Sequence, residues 1–325
     1  MIRPLWTLCC LSGLLVIGGN AIANDPPVES SKPPSNGSEG QRESRPDPTF
    51  ADVRYGPYAR NLLDVYVPKG QAKGDWPVCI FFHGGGWLGG DKQAVDPRWF
   101  LSKGIAVVSA NYRYTMGSPD AAPYPGPMND AKRVVQYVRH RALDWNLNSD
   151  RVALTGSSAG AVMALWIAYQ PDMSDAASND VVDQQSTRVC CVLPEDMPTT
   201  LNRDWILENV GGPKGIHIAT YPLFRIQNLD ELDVEPKRAM VAEASPVSHV
   251  TADDPPTYMT FQLPMTPTPL PSTTDQNLSI HHPRFGLYLQ EELRKRGVPC
   301  FLRYKGNEGE ISKAEFLQRF LFETR

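Results

Sequence analysis

Residues 152–169 read VALTGSSAGAVMALWIAY, and this stretch decides the fold. Residues 152–155 predict a buried strand and residues 161–169 predict a helix. Between them, Gly156, Ser158 and Gly160 form a GxSxG motif. Glycine on both sides of the serine permits a very sharp strand-to-helix turn, which lifts the Ser158 hydroxyl out of the sheet. The start of the helix then favours negative charge that develops nearby.

A second glycine-rich segment follows another apolar run. Residues 78–82, VCIFF, predict a fully buried strand, and residues 83–87, HGGGW, come directly after it. Consecutive glycines let backbone N–H groups face a ligand with no Cβ in the way. Residues 84–89 also fit the dinucleotide-binding GxGxxG, but that motif needs an acid about 20 residues further on, where Asn111 stands. We therefore expect no nucleotide cofactor.

Strands and helices alternate along the chain. Further strands are predicted at residues 62–67, 105–110, 189–193, 257–261 and 299–304, and further helices at residues 92–102, 128–145, 201–209, 282–296 and 313–322. This alternation indicates an α/β fold with a parallel sheet covered on both faces. The net charge of −4 leaves no basic excess to neutralise a phosphate backbone, so nucleic acid is not an expected partner.

The cysteines do not indicate a metal site or a disulfide. Cys79, Cys190, Cys191 and Cys300 each lie in a short apolar run, which favours buried thiols on strands. Cys190 and Cys191 are adjacent, so on a strand they point to opposite faces. No CxxC or Cys/His cluster has metal-ligand spacing, and we expect no bound metal.

Taken together, these segments resemble the α/β-hydrolase superfamily, and within it the HGGG carboxylesterases of the hormone-sensitive-lipase-like and feruloyl-esterase-like types. Matching stretches include LLDVYVPKG, VCIFFHGGGWLGGDK, DRVALTGSSAG and SPVSHVTADDPP. The likeness covers roughly 270 residues in the same order, which is more specific than either motif alone. It implies a three-layer fold with a mostly parallel eight-stranded sheet. It also implies Ser158 as the nucleophile and the N–H groups of Gly85, Gly86 and Ala159 as the oxyanion hole.

The other two members of the usual triad are missing from the positions that the resemblance implies. Residues 261–275, FQLPMTPTPLPSTTD, contain no carboxylate before Asp275. Residues 305–316, KGNEGEISKAEF, carry Glu308 near the place of the histidine. The unperturbed pKa of a glutamate, about 4.3, makes it a poor base for a serine hydroxyl. A base and an acid must therefore come from elsewhere.

Two neighbouring histidines are the candidates for the base. His281 and His282 lie at the start of the helix after the altered loop, at the functional edge of the sheet, and either is expected to be able to approach Ser158. We assign the role to His282. The alternative is that His281, His282 and Pro283 simply begin the helix, with the proline in its first turn.

The candidates for the acid follow a strand end. Glu195 and Asp196 come after the run RVCCVL, a position from which some α/β-hydrolases take their acid. We assign the role to Asp196 and place Asp275 after Glu195. The alternative is a charge exposed to solvent in a loop.

Three functions fit this sequence. The first is a serine carboxylesterase acting on small or carbohydrate-linked esters, with its histidine moved to His282. The second is a hydrolase fold that has lost turnover and acts as a binding or scaffolding module, because removing the triad histidine can cost about a million-fold in kcat. The third is a serine peptidase on the same fold. The sequence shows no propeller or other gating domain that would support this function.

The composition of the sequence predicts three successive regions along the chain. Residues 1–23 have a positive start, an apolar core and a small-residue cleavage pattern, and predict a signal peptide and hence export to the periplasm or medium. After its removal no stable membrane span is expected. Residues 24–49 are polar and predict a disordered linker. Residues 50–325 are predicted to form the α/β-hydrolase domain, in which we expect residues 194–245 to be a cap-like insertion that shapes the pocket.

Overall fold

The computed structural model describes residues 45–70 and 75–323. The predicted signal peptide and most of the predicted linker lie outside the described residues. The described chain forms one eight-stranded sheet with the order β1-β2-β4-β3-β5-β6-β7-β8. Its strands are β1 (Phe50–Arg54), β2 (Leu62–Tyr66), β3 (Trp76–Phe82), β4 (Ala106–Ala110), β5 (Leu147–Ser157), β6 (Cys191–Glu195), β7 (Thr257–Pro264) and β8 (Cys300–Lys305).

The sheet is mostly parallel. β2 pairs antiparallel with both β1 and β4. From β4 across β3, β5, β6 and β7 to β8, every pair is parallel. The predicted α/β fold and its mostly parallel eight-stranded sheet are therefore confirmed. In such a sheet the carboxyl ends of β3, β5, β6 and β7 meet at one edge, which is where ligands bind in open α/β folds.

Alternate residues of β3 bury their side chains on opposite faces of the sheet. Val78, Ile80 and Phe82 belong to a large apolar cluster that includes residues of the helices Gly126–His140 and Ala159–Tyr169. Cys79 belongs to a smaller cluster that includes Phe316. Each face of the sheet is thus covered by helices, which gives three layers. The helices are α1 (Arg98–Ser102), α2 (Gly126–His140), α3 (Ala159–Tyr169), α4 (Arg203–Asn209), α5 (Thr220–Phe224), α6 (Lys237–Ala244), α7 (Gln276–Ile280), α8 (Arg284–Lys295) and α9 (Lys313–Leu317).

The helix α3 shows why the 152–169 stretch is decisive. All eleven of its residues are buried. A helix that is apolar on every side has to lie inside the molecule rather than on its surface. α3 packs between the sheet and α2, and so fixes the position of the turn that precedes it.

Two predicted helices are shorter in the structure. The segment 92–102 divides into a 3₁₀ turn at Lys92–Ala94 and α1, because Pro97 holds the residue before it out of the helical region. The helix predicted over 128–145 ends at His140 and is followed by a 3₁₀ turn at Leu143–Trp145. Cys79, Cys191 and Cys300 are buried and Cys190 is half-buried, all as free thiols.

The chain between β6 and β7 supplies most of the irregular structure near the functional edge. It contains α4, α5 and α6 together with 3₁₀ turns at Leu229–Asp233 and Pro246–His249. The predicted insertion at residues 194–245 covers most of this region, and its first two residues are the end of β6. Three of its buried apolar residues, Leu201, Ile206 and Ile216, line a cavity at the carboxyl edge of the sheet.

Candidate active site

Ser158 is the single residue between β5 and α3, and its backbone conformation is strained. Its φ is 50° and its ψ is −119°, a combination that a non-glycine residue adopts at a cost of about 1–3 kcal/mol. Both of its backbone polar groups are satisfied: the N–H donates to the Glu195 carbonyl at 2.9 Å and the carbonyl accepts from Val162 at 3.0 Å. The surroundings therefore hold the turn that the GxSxG motif predicts.

Gly160 is required because the first turn of α3 and the end of β3 lie very close together at this position. A Cβ at this position would overlap the carbonyl oxygen of Phe82, the last residue of β3, and would lie 2.5 Å from that of His83. The first turn of α3 thus rests directly on the end of β3. This close approach brings the residues that follow β3 next to Ser158.

The loop after β3 is a compact turn. Gly85 has a φ of 110°, and its carbonyl accepts from Leu88 at 3.0 Å and from Gly89 at 3.2 Å. A Cβ on Gly85 would overlap the Gly89 carbonyl oxygen, so only glycine fits. The backbones of Gly85, Gly86 and Ala159 line the same cavity as Ser158. The structure therefore brings together the candidate nucleophile and the three residues assigned to the oxyanion hole.

His83 fixes the backbone at the start of that loop. It is fully buried and stacks on Tyr112 with ring centroids 4.2 Å apart. Its Nδ1 lies 2.8 Å from the Gly84 carbonyl and its Nε2 lies 3.4 Å from an Arg60 nitrogen, which can only donate. The ring thus carries its proton on Nδ1. Burial lowers the pKa of His83 to about 4, so it is neutral at ordinary pH.

The histidine that reaches Ser158 is His281. Its Nε2 lies 3.0 Å from the Ser158 Oγ, within hydrogen-bond distance. His281 follows the last residue of α7, whose N-terminus is capped by the Asp275 side chain accepting from the Asn277 N–H at 2.8 Å. Burial, and secondarily the nearby His217, lower the pKa of His281. A neutral imidazole beside a serine hydroxyl is the arrangement needed for a general base.

The structure does not bring His282, to which the sequence analysis assigns the role of base, into contact with Ser158. His282 is 3% exposed, and its Nε2 lies 3.0 Å from the Thr266 Oγ1 while its Nδ1 accepts from the Arg284 N–H at 3.1 Å. The side chain thus joins the start of α8 to the proline-rich segment. The physical reason is the extra helix: α7 ends just before His281, so that His281 faces the cavity and His282 faces the core.

Asp196 does not contact a histidine among the described residues. Its Oδ1 accepts from the Gln262 N–H at 2.8 Å, and its own N–H donates to the Thr260 carbonyl at 2.9 Å. Burial raises its pKa. Asp196 therefore links β6 to β7 at the sheet edge, and its assignment as the acid of a triad is not supported by its contacts.

The other two carboxylates considered are also occupied elsewhere. Glu195 pairs with Lys313 at 3.1 Å, and Asp275 caps α7. Within the described parts of the chain, no carboxylate hydrogen-bonds to His281. The constellation is therefore a Ser–His pair beside a glycine-rich loop, without the third member that usually orients the imidazole.

The pair opens into an apolar cavity of about 320 Å³. Its walls come from the loop after β3, from α3, from the insertion and from α7. The larger apolar side chains among them are Trp87, Val162, Pro198, Leu201, Ile206, Ile216 and Ile280. Polar lining beyond Ser158 and His281 includes His217, Thr220 and Asn277. The volume suits a small ligand.

His217 is a site residue that the sequence did not indicate. Its Nδ1 accepts from the Ala219 N–H at 3.2 Å, and its ring lies beside Gly86, since a Cβ there would be 3.7 Å from the His217 Cε1. Burial, opposed by a hydrogen bond with Asn277, lowers its pKa. No motif surrounds His217 in the sequence, and only the fold of the insertion brings it to the cavity.

Two further features, a metal-binding cluster and a helix that could span a membrane, are not found in the described residues. They contain no group of three or more His, Cys, Asp or Glu side chains arranged to hold a metal ion. None of the helices they form is both long and apolar enough to cross a membrane.

Comparison with known proteins decides the family. The family model BD-FAE matches residues 63–262, which is 200 of the 325 residues and includes both the glycine-rich loop and Ser158. The chain belongs to the BD-FAE family. It is an α/β-hydrolase of the carboxylesterase type that the sequence resemblance implies.

Two relatives of this BD-FAE chain are named as ester hydrolases. It is 28% identical over 217 residues to the probable carboxylic ester hydrolase LipM of Mycobacterium tuberculosis, covering 64% of this chain and 46% of the relative. It is 32% identical over 141 residues to the versiconal hemiacetal acetate esterase of Dothistroma septosporum, covering 40% of each. The chain thus spans less than half the length of these relatives.

Solved structures share the fold. A truncated carbohydrate esterase from gut microbiota aligns with a TM-score of 0.61 and 17% identity, over 78% of this chain and 86% of that one. Thermogutta terrifontis esterase 2, phosphonylated by sarin, aligns with a TM-score of 0.61 and 19% identity, over 86% of this chain and 99% of that one. At such identities the likeness concerns the fold alone.

Proposed function

We propose that this protein hydrolyses carboxylic esters, with Ser158 as the nucleophile and His281 as the general base. One observation carries the proposal: the 3.0 Å approach of the His281 Nε2 to the Ser158 Oγ, in a cavity that the Gly85 and Gly86 backbone also lines. The names of the curated relatives LipM and the versiconal hemiacetal acetate esterase support this reaction class.

The reaction would proceed through an acyl-enzyme. The Ser158 Oγ attacks the ester carbonyl carbon while its proton passes to the His281 Nε2, and the carbonyl oxygen becomes an oxyanion. The N–H groups of Gly85, Gly86 and Ala159 are the proposed donors to that oxyanion. The C–O bond to the alcohol then breaks, and His281 returns the proton to the departing oxygen. Water, deprotonated by His281, attacks the acyl-enzyme and releases the acid and Ser158.

The missing carboxylate predicts a slow enzyme. In a complete triad the acid holds the imidazole in the correct tautomer, and its loss lowers kcat by about 10⁴-fold. His281 must keep its proton on Nδ1 to accept from Ser158 on Nε2, and no described carboxylate stabilises that tautomer or the imidazolium. Turnover would therefore depend on the half-buried base, the glycine-rich loop and the cavity.

The same observation favours a second candidate function. A Ser–His pair without an acid is also what a hydrolase fold that binds esters or related ligands without turnover would retain. In that case the apolar cavity alone is the functional feature, and Ser158 is not activated.

Active-site labelling separates the two functions. The purified protein is treated with a fluorophosphonate probe and assayed with p-nitrophenyl acetate. We expect labelling and slow turnover, both lost in Ser158→Ala and both kept in Ser157→Ala, the matched neighbouring serine. An unlabelled protein without turnover would leave the binding function, and labelling that persists in Ser158→Ala would refute the assignment of the nucleophile.

A further inference from the structure

One buried hydroxyl in the wall of the cavity has no hydrogen-bond partner. Thr220, the first residue of α5, is 4% exposed and lines the cavity that contains Ser158. Its backbone N–H donates to the His217 carbonyl at 2.9 Å, but its Oγ1 forms no hydrogen bond with any other described residue. Buried polar groups in native proteins nearly always have a partner, so an unpaired one in a cavity wall points to a ligand.

The Thr220 hydroxyl can be reached from the cavity. It is not one of the sealed side-chain atoms that lack a partner in the described part of the chain. Because the residue is otherwise buried, water or a ligand approaches Oγ1 from the cavity that it lines. A valine has the same shape and would pack equally well, so packing alone gives no reason for a hydroxyl here.

Thr220 lies on the side of the cavity that is next to the glycine-rich loop. The turn at residues 217–220 packs against Gly86, where a Cβ would lie 2.9 Å from the Ala219 Cβ and 3.7 Å from the His217 Cε1. His217 and Thr220 are three residues apart in this turn, so their side chains lie on one side of it, and both line the cavity. Since Gly86 is a proposed donor to the oxyanion, a ligand group that reaches Thr220 is close to the reacting carbonyl.

The unpaired hydroxyl makes the cavity selective. An alkyl group placed against Thr220 displaces water from Oγ1 and offers no hydrogen bond in return. An oxygen atom at the same place restores the bond, and one hydrogen bond of this kind corresponds to about tenfold in affinity. The described lining holds no Lys or Arg, so an ionised group would have no opposite charge there. The favoured ligand group is therefore a neutral oxygen.

We propose that Thr220 is a specificity-determining residue that selects esters with a hydroxyl or ether oxygen one or two carbons from the ester group. This selection rests on the proposed function and names the substrate class of the same site. The Thr220 hydroxyl can both donate and accept, so it fits either kind of oxygen.

The kinetic test uses pairs of esters in which a methyl group replaces the hydroxyl. Ethyl lactate is paired with ethyl isobutyrate for the acid side, and 2-hydroxyethyl acetate with propyl acetate for the alcohol side. The ratio of kcat/KM within each pair is measured in the wild type, in Thr220→Val, which keeps the shape, and in Thr220→Ser, which keeps the hydroxyl. Differences in intrinsic reactivity cancel, because the same two esters are compared in every protein.

We expect Thr220→Val to lower the hydroxyl-to-methyl ratio about tenfold in one of the two pairs, and Thr220→Ser to keep the wild-type ratio. The pair that responds shows whether the oxygen belongs to the acid or to the alcohol. Equal ratios in all three proteins for both pairs would overturn the proposal.

A binding measurement separates this test from the test of turnover. Affinities of the Ser158→Ala protein for the same four esters are measured by ligand-observed NMR titration, with and without Thr220→Val. A tenfold loss confined to a hydroxyl ester supports the role of Thr220 even if no ester is turned over, and no such loss contradicts it. Without ester, Thr220→Val should be at least as stable to urea as the wild type, because an unpaired hydroxyl contributes nothing to the fold. A clearly less stable variant would mean that the hydroxyl serves the fold, and would also overturn the proposal.

Discussion

His281 and His282 are adjacent in the sequence, yet their side chains serve different parts of the molecule. His281 reaches the Ser158 Oγ, and His282 is buried against Thr266. The sequence could predict that a histidine from this pair approaches Ser158, because both lie at the carboxyl edge of the sheet. It could not predict which one, since that depends on where a short helix ends.

The pair permits a matched test of the base. His281→Gln should lower kcat for p-nitrophenyl acetate by about 10²–10⁴-fold, because general base catalysis is removed while the polar side chain remains. His282→Gln should keep kcat within a few-fold, but should lower the free energy of unfolding by about 1–3 kcal/mol, because buried hydrogen bonds are lost. Kinetics and urea unfolding of both variants are the measurements; the reverse pattern would return the role to His282.

The candidate acids show where reasoning from single residues ends. The sharp turn at Ser158 could be predicted, because the glycines on either side of it are needed for a local steric reason. Asp196 could be placed at the correct sheet edge, but not oriented. Its φ of 46° and its bond to the Gln262 N–H arise from the pairing of β6 with β7, which no local pattern reveals.

At the scale of elements, α7 is one of the short helices that the sequence did not predict, together with α5 and α6. It has five residues, QNLSI, too few for an apolar period to be recognised. Its start is nevertheless encoded, because Asp275 accepts from the N–H groups of both Asn277 and Leu278. Asp275 therefore acts on the site through helix capping.

Two variants distinguish the role of Asp275 as a helix cap from the effect of its negative charge. Asparagine is as good an N-cap as aspartate, whereas alanine costs about 1 kcal/mol. Asp275→Ala should lower kcat/KM several-fold, because α7 and with it His281 lose their anchor, and Asp275→Asn should stay near the wild type. Steady-state kinetics of the two variants decide this; equal losses in both would indicate that the carboxylate charge itself is needed.

At the scale of the whole molecule, the central strands of the sheet could be predicted from the sequence, but the edge strand β1 could not. The buried strands β3, β4 and β5 are recognisable in the sequence as continuous apolar runs, and the eight-stranded, mostly parallel sheet follows from the family resemblance. β1 escaped prediction because four of its five residues are exposed and it carries no apolar alternation. Residues 201, 206, 216 and 217 of the predicted insertion line the cavity, but the position of His217 there depends on long-range packing.

Stability against pH is a property of all buried titrating groups together. His83 has its pKa lowered to about 4 by burial, so between roughly pH 4 and pH 6.5 the unfolded chain binds more protons at this residue and stability rises with pH. Asp254 acts in the opposite direction. Burial raises its pKa to about 6, so below that pH the folded chain holds the extra proton, and this contribution to stability is lost as the pH rises.

Replacing Asp254 isolates its contribution, because every other group is shared between variant and wild type. Asn has no proton to lose, so the stability of Asp254→Asn relative to the wild type should increase steadily from pH 4 to pH 7 and then level off. Urea unfolding at a series of pH values gives this difference directly. A difference that stays constant, or that decreases with pH, would mean that the Asp254 carboxyl is already ionised without penalty in the folded protein, where it accepts hydrogen bonds from Thr251 at 2.7 and 3.0 Å.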